Sequence, residues 1–372
     1  SPGTTDGITV QATDENGETK DAKYTPKVTP LTVTPENKTS KNIQGLPQEG
    51  TPTFTIPEGV PNASITSRKL VDPSDNTPKD SVTVEGKGTF VIDETGKVTF
   101  TPVPSYTGEV PAIEVEATVT VTNEKNAPAT ITSKATYKPE IVPLELGKTP
   151  ATSTNLQGLE QKGTPIFTGD TVEVNGEQKE VTIKENSYTL VKDGSEATTS
   201  PAYKKGTTDV IGTYTIDPAT GEVTLTPTDK TYTGEVEPAV VQATGSNNVK
   251  VQTTYTPTII PVTPTAEKSK TSDVQGKVQT SPIKLDTEET GDDKGKTVNF
   301  NKGAQTGPNG ERVELNPDTL TLLDGENEVT SVTTTDGKYE LDKANKTITF
   351  TPNATFTGVA KPVSVRIKDA NG

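Results

Sequence analysis

The residues best placed to do chemistry in this chain are carboxylates beside turns. The usual catalytic and metal-binding types are missing, since the sequence holds no His, Cys, Met or Trp. That excludes a Ser-His-Asp triad, a Cys-His pair and an ordinary zinc site. Two carboxylates alone can run glycoside hydrolysis, but with 51 acidic residues chance pairs are plentiful and prove nothing. Three aspartates, Asp93, Asp217 and Asp342, stand at equivalent places beside turns. There an aspartate side chain accepts hydrogen bonds from nearby backbone, so capping is the reading and no catalytic residue is assigned.

Calcium needs only carboxylate and carbonyl oxygens. Asp14-Glu-Asn16-Gly17 and Asp369-Ala-Asn371-Gly372 could supply them, but the corresponding Thr122-Asn123-Glu-Lys and Thr244-Gly245-Ser-Asn247 lack the aspartate. A site needed by the fold should recur, so Asn-Gly hairpin tips explain these stretches better and no metal or other cofactor is expected. Glu288, Glu289, Asp292 and Asp293 read as a solvated charge run. An amide crosslink between Lys and Asn or Asp requires a carboxylate beside the pair in an apolar pocket. Lys134 lies on a candidate strand, but Lys23 is its nearest counterpart in the first tail, and Thr253-Thr254 occupies the region further on. The triplets at Asn37, Asn62, Asn345 and Asn353 match the N-glycosylation pattern at the level chance explains in a chain rich in Thr and Asn.

The elements that must position these residues recur as a cassette. It reads Gly88-Thr-Phe90-Val-Ile92-Asp93, Val98-Thr-Phe100-Thr-Pro102, then Tyr106-Thr-Gly108. It returns from Gly212 to Gly234 and from Gly337 to Gly358. Gln44-Gly45-Leu46…Gly50-Thr-Pro52 returns as Gln157-Gly158-Leu159…Gly163-Thr-Pro165, and faintly as Gln275-Gly276…Pro282. Modules close with Tyr24-Thr-Pro26, Tyr137-Lys-Pro139 and Tyr255-Thr-Pro257, followed by Pro-bearing junctions at Pro30, Pro143 and Pro261. A fixed period over a whole chain marks an array of similar modules, and proline stiffens each junction by fixing φ. The phase predicts repeat one at 31–143, repeat two at 144–261 and repeat three at 262–372, the last truncated at its C-terminal end. Residues 1–30 fit the tail of a preceding repeat.

Val82-Thr-Val84, Val98-Thr-Phe100-Thr and Thr118-Val119-Thr-Val121 alternate with the period of a strand buried on one face. No window shows helical spacing. Seven to nine short strands per module predict an all-β chain of tandem β-sandwich, Ig-like modules in an elongated array. A hydrophobic fraction of 28% and a mean hydropathy of −0.61 predict thin cores. Apolar linker residues (Val28, Ile141, Val142, Ile259, Ile260) point to neighbouring repeats of the same chain as packing partners. The interval from Pro52 to Gly88 is 36 residues, against 47 from Pro165 to Gly212 and 55 from Pro282 to Gly337. Any module-specific recognition is therefore expected in 168–210 or 284–336, where surface loops tolerate length change. The net charge of −15 disfavours nucleic acid and anionic membranes. No apolar run reaches the ~18 residues of a membrane span, and any export or anchoring signal is expected outside this segment.

Taken in order, the Gln-Gly…Gly-Thr-Pro opening, the Gly-x-aromatic strand, Thr-Gly-x-Val-Thr-x-Thr-Pro, the aromatic-Thr-Gly and the closing Tyr-x-Pro resemble the CshA-type fibril repeat of Gram-positive surface adhesins. Module three departs from the pattern, with Ala344-Asn345-Lys346 at its hairpin and a degenerate opening. The resemblance implies a secreted protein of the bacterial cell surface, anchored to the cell wall through a region outside this segment, in which such repeats carry a ligand-binding head. The expected role is a structural spacer and not an enzyme. The alternative is an adhesive module whose variable loops or sheet edge bind a host extracellular protein, a glycan or another fibril.

Overall fold

The computed structural model describes residues 3–4, 6–60, 62–122, 128–287 and 294–372. Among them every regular element is a β-strand. Period-two alternation decides this locally: along Ile113–Val121 the buried residues are Ile113, Val115, Ala117 and Val119, with Glu and Thr between them. Strand segments are more numerous than the seven to nine expected, eleven of them in 31–143, because two- and three-residue pieces such as Pro78–Lys79 and Thr53–Thr55 also pair. By internal contacts the chain divides into two units. The first is Ser1–Glu145 with Asp170–Val181 and Ser246–Val249, and the second is Leu146–Gly169, Thr182–Gly245 and Lys250–Gly372.

In the first unit one sheet runs Pro78–Lys79, Ala63–Val71, Ile113–Val121, Ala129–Val142, Lys38–Ile43, and the other runs Ser81–Val84, Gly88–Ile92, Val98–Pro102, Gln48–Gly50. Among the described residues of this unit only the edge pair of Ala129–Val142 with Lys38–Ile43 is parallel, with Tyr137 opposite Lys38. The core lies between the sheets, where Leu70, Val115, Ala117 and Tyr137 meet Phe90, Val98 and Phe100. Phe90 and Phe100 pack with ring centroids 4.6 Å apart and planes tilted by 39°, and Tyr137 stands edge-on to Phe90 at 6.2 Å. Side chains this large dominate a core built from few apolar residues. The leading hairpin pairs Ile8 with Tyr24, the register in which Ile113 meets Tyr137 and Ala239 meets Tyr255.

The second unit repeats the plan at residues 151–260. Ala151–Leu156 lies parallel to Lys250–Ile260, and Val210–Ile216 with Val223–Pro227 forms the cassette hairpin. Its third-module part has a core of Ile283, Phe300, Leu315, Leu320, Leu322, Leu341 and Ile348. Residues 269–274, which correspond to Ala151–Leu156, form no strand. A lone edge strand gains nothing without a partner for its backbone groups, and among the described residues no closing Tyr-x-Pro strand lies beside this one.

The cassette hairpins bend at Gly96 (φ +89°) and Gly221 (φ +75°), and in module three Lys346 takes the same position at φ +50°. The departure seen in the sequence there leaves the hairpin intact, with Asp342 opposite Thr347. It carries the ~1 kcal/mol penalty of a left-handed L-residue.

Candidate functional sites

The cassette aspartates are occupied by their own turns. Asp93 Oδ1 accepts hydrogen bonds from the Thr95 amide at 2.9 Å, the Thr95 hydroxyl at 2.6 Å and the Lys97 amide at 3.0 Å. Asp217 Oδ1 accepts from the Ala219 amide and Oδ2 from the Thr220 hydroxyl. Asp342 accepts from the amide and side chain of Asn345. The Thr95 hydroxyl holds the Asp93 carboxyl below the usual carboxylate range, and the Ala219 and Asn345 amides do the same for Asp217 and Asp342. A general acid at neutral pH needs the opposite shift.

Of the Asp-x-Asn-Gly stretches, Asp14–Gly17 is a hairpin tip and Asp369–Gly372 a turn that follows the strand Ser364–Asp369. Asp14 Oδ1 accepts from the amides of Asn16 and Glu18 at 2.8 and 2.9 Å, and Asp369 Oδ1 from that of Asn371 at 2.9 Å. Among the described residues no three acidic side chains converge as metal ligands. Asn123 and the run Glu288, Glu289, Asp292 and Asp293 lie outside the described residues. Lys134 is half-exposed and pairs with Glu114 at 3.0 Å across the strands, not in an apolar pocket; Lys23 is exposed on its hairpin. Asn37, in one of the glycosylation-like triplets, accepts from the Thr136 amide at 2.8 Å, and Asn353 donates to the Thr335 carbonyl at 2.8 Å. The length-variable segment 168–210 is not free loop throughout. Its hairpin Asp170–Val174 with Glu177–Val181 belongs to the first unit and packs beside Lys38–Ile43. Asn175 there lines a groove with Thr39, Lys41, Glu109 and Lys138.

What the repeated landmarks build is a buried hydrogen-bond chain. Ser40 Oγ donates to Gln48 Oε1 at 2.5 Å and contacts the Tyr137 hydroxyl at 2.6 Å. Serine has one hydroxyl proton, so the tyrosine must donate to the serine. Gln48 then donates to the Glu140 carbonyl at 3.0 Å. Module two repeats it with Tyr255, Ser153 and Gln161, where Gln161 donates to the Thr258 carbonyl. Module three keeps Thr271 donating to Gln279 at 2.6 Å. Gly50 and Gly163 make room for the rings, since a Cβ at either would collide with the tyrosine. Ser281 holds the same register position, opposite Ile348 as Gly50 is opposite Val98. Sequence reading singled out the tyrosines but not Ser40, Ser153 or Thr271. The available signal was a hydroxyl residue four positions before each Gln-Gly.

Burial pushes the hydroxyls of Tyr137 and Tyr255 up from 10.0 to about 12, with the serine contacts acting the other way. The folded protein thus holds these protons more tightly than the unfolded chain. The stability this represents is complete below pH ~10 and is lost as pH rises through about 12. Two units correspond to roughly 2–3 kcal/mol per tyrosine. We expect alkaline unfolding in that window, followed by tyrosinate absorbance, and a flatter stability profile there for Tyr137→Phe. A profile unchanged by that substitution would contradict the assignment.

The family model for the surface adhesin CshA repetitive domain matches residues 30–141, 143–259 and 261–372. The chain belongs to the CshA repetitive-domain family. It is therefore a repeat region of a surface adhesin, a class that places it outside the cell. No helix among the described residues is long and apolar enough to cross a membrane. The search of curated proteins gave no match. Similar solved structures include the I9–I11 tandem of titin, at 11% identity and a TM-score of 0.29, with 90% of this chain and 98% of that chain covered. A calcium-stabilised adhesin with which an Antarctic bacterium binds ice is 14% identical, at a TM-score of 0.26 over 97% of this chain and 79% of that one. Mouse cadherin-23 EC22–24 is 12% identical, at a TM-score of 0.24 over 87% of this chain and 89% of that one.

Proposed function

We propose that this CshA-repeat chain is a stalk segment, a structural spacer that carries a binding head away from a Gram-positive cell wall to which the protein is anchored elsewhere. On this reading the repeats are 31–143, 144–261 and 262–372, with 1–30 closing a preceding one, and no residue performs catalysis. The supporting observation is where the repeated residues go. The cassette aspartates cap their turns, and the Tyr–Ser–Gln chain ties each closing strand to its opening strand. What recurs is spent on internal structure. The alternative, an adhesive module working through the length-variable loops, is less favoured because the hairpin within 170–181 is packed against Lys38–Ile43.

The test is to delete residues 144–261 from the surface-displayed protein. Strands of ~8–12 residues rising roughly 3.3 Å each, with their loops, give a module about 35–45 Å long. Electron micrographs should show fibrils shorter by that amount, with ligand binding by the head unchanged. Unchanged fibril length, or loss of ligand binding by purified protein, would refute the spacer role.

A further inference from the structure

The Gln-Gly turn does two things in each complete module. Its glutamine spans the module: Gln44 Nε2 donates to the Pro104 carbonyl, Gln157 Nε2 to that of Thr231, and Gln275 Nε2 to that of Ala354. In the first two, Oε1 also accepts from the amide of the residue just beyond the junction proline, Leu144 or Val262. The turn then receives an asparagine. In the first unit the side chain of Asn247, fully buried, donates to the carbonyls of Gln44 at 3.0 Å and Leu144 at 2.8 Å. Its Oδ1 accepts from the Val249 amide at 3.4 Å. Both Nδ2 partners are carbonyl oxygens, so only an amide NH2 can face them. In the second unit Asn371 Nδ2 donates to the Gln157 carbonyl at 2.8 Å.

The glycine admits this partner. A Cβ on Gly45 would collide with the Asn247 carbonyl and crowd Val249 at 3.2 Å, and one on Gly158 would collide with the Asn371 side chain. Around Gly276 there is nothing within 4 Å. Burial follows the same division: Ile43 and Leu156, just before the turn, are 2% and 0% exposed, whereas Val274 at that position in module three is 71% exposed.

We propose that the Gln-Gly turn is a docking surface whose partner is the asparagine-bearing hairpin tip of the repeat that follows, and that the uncovered turn at 274–278 is the same surface awaiting such a tip. Asn247 and Asn371 close on two such turns. Asn16 stands at the same place in the leading hairpin, eight residues before Tyr24 as Asn247 is before Tyr255. The inference rests on contacts inside each unit and holds whether the array spaces or adheres. It makes the junction directional and selective, since a tip carrying Asp would set a carboxylate against two carbonyl oxygens.

Hydrogen exchange on the full chain tests it. In the wild type, residues 43–46, 142–146 and 156–159 should be protected and 274–278 should exchange fast. Asn247→Ala should speed exchange at 43–46 and 142–146 at least tenfold, and Asn247→Asp further, leaving 88–102 unchanged. Asn371→Ala should do this at 156–159 alone. Gly45→Ala should reproduce the Asn247→Ala pattern. Gly276→Ala, with a similar φ (+76° against +79°) but no neighbour, controls for backbone strain and should perturb only its own turn. Protection at 43–46 within twofold of wild type in Asn247→Asp overturns the proposal. So does loss confined to 239–260, or a wild-type turn at 274–278 as protected as its counterparts.

Discussion

Replacing Tyr137 with Ala should remove about 3–5 kcal/mol from the stability of module one, the cost of truncating a large buried aromatic. The side chain is fully buried, meets Phe90 edge-on, and its hydroxyl starts the chain to Ser40 and Gln48. Truncation leaves a cavity beside Gly50, which has no side chain to fill it, and strips the Ser40 oxygen of its donor. It also loosens the parallel pairing of 137–142 with 38–43, the backbone ladder that joins the opening and closing strands. For a domain with about 5–15 kcal/mol in hand, this is a large fraction. Urea unfolding of the full chain, read by the tyrosines of module two and by amide exchange in module one, should show module one unfolding first. Tyr137→Phe keeps the ring and should cost only about 1–2 kcal/mol for the lost hydrogen bond. A Tyr137→Ala protein within 1 kcal/mol of wild type would show that the closing strand does not hold the module together.

The second large effect belongs to the cassette glycine. Gly88 sits at φ +153°, buried, between Val84 and Pro102, and a Cβ there would collide with the Thr101 carbonyl and approach the Phe100 ring at 2.7 Å. Neither neighbour can give way cheaply, because Thr101 is in the ladder and the Phe100 ring is packed against Phe90. Gly88→Ala should therefore cost about 3 kcal/mol or more, combining backbone strain with overpacking. Gly86, two residues away, has φ +70° and nothing within 4 Å, so Gly86→Ala should cost only the ~1 kcal/mol of the left-handed backbone. Equal melting temperatures for the two variants would mean that close approach across the hairpin is not what the cassette glycine serves. Gly337 meets Thr351 and Phe350 in the same way, which ties the recurrence of the residue to the recurrence of the contact.

Much of the fold was legible because it is written locally. Alternation in Ile113–Val121 names its buried face without any knowledge of the partner sheet, and Asp93 with Gly96 marks a hairpin by the backbone needs of a tight turn. Repetition supplied the rest: three copies of one cassette state the module, its family and its all-β character before a coordinate is consulted. The junction chemistry was not legible. Asn371 read as a turn residue, which it is, and its bond to Gln157 crosses 214 positions of sequence. The same limit applied to 170–181, whose length variation suggested free loop and whose packing places it beside Lys38–Ile43. Strand period and turn type depend on neighbours a few residues away, so sequence alone determined them. Which polar side chain meets which carbonyl depends on where distant segments are brought together, and only the tertiary structure decided that.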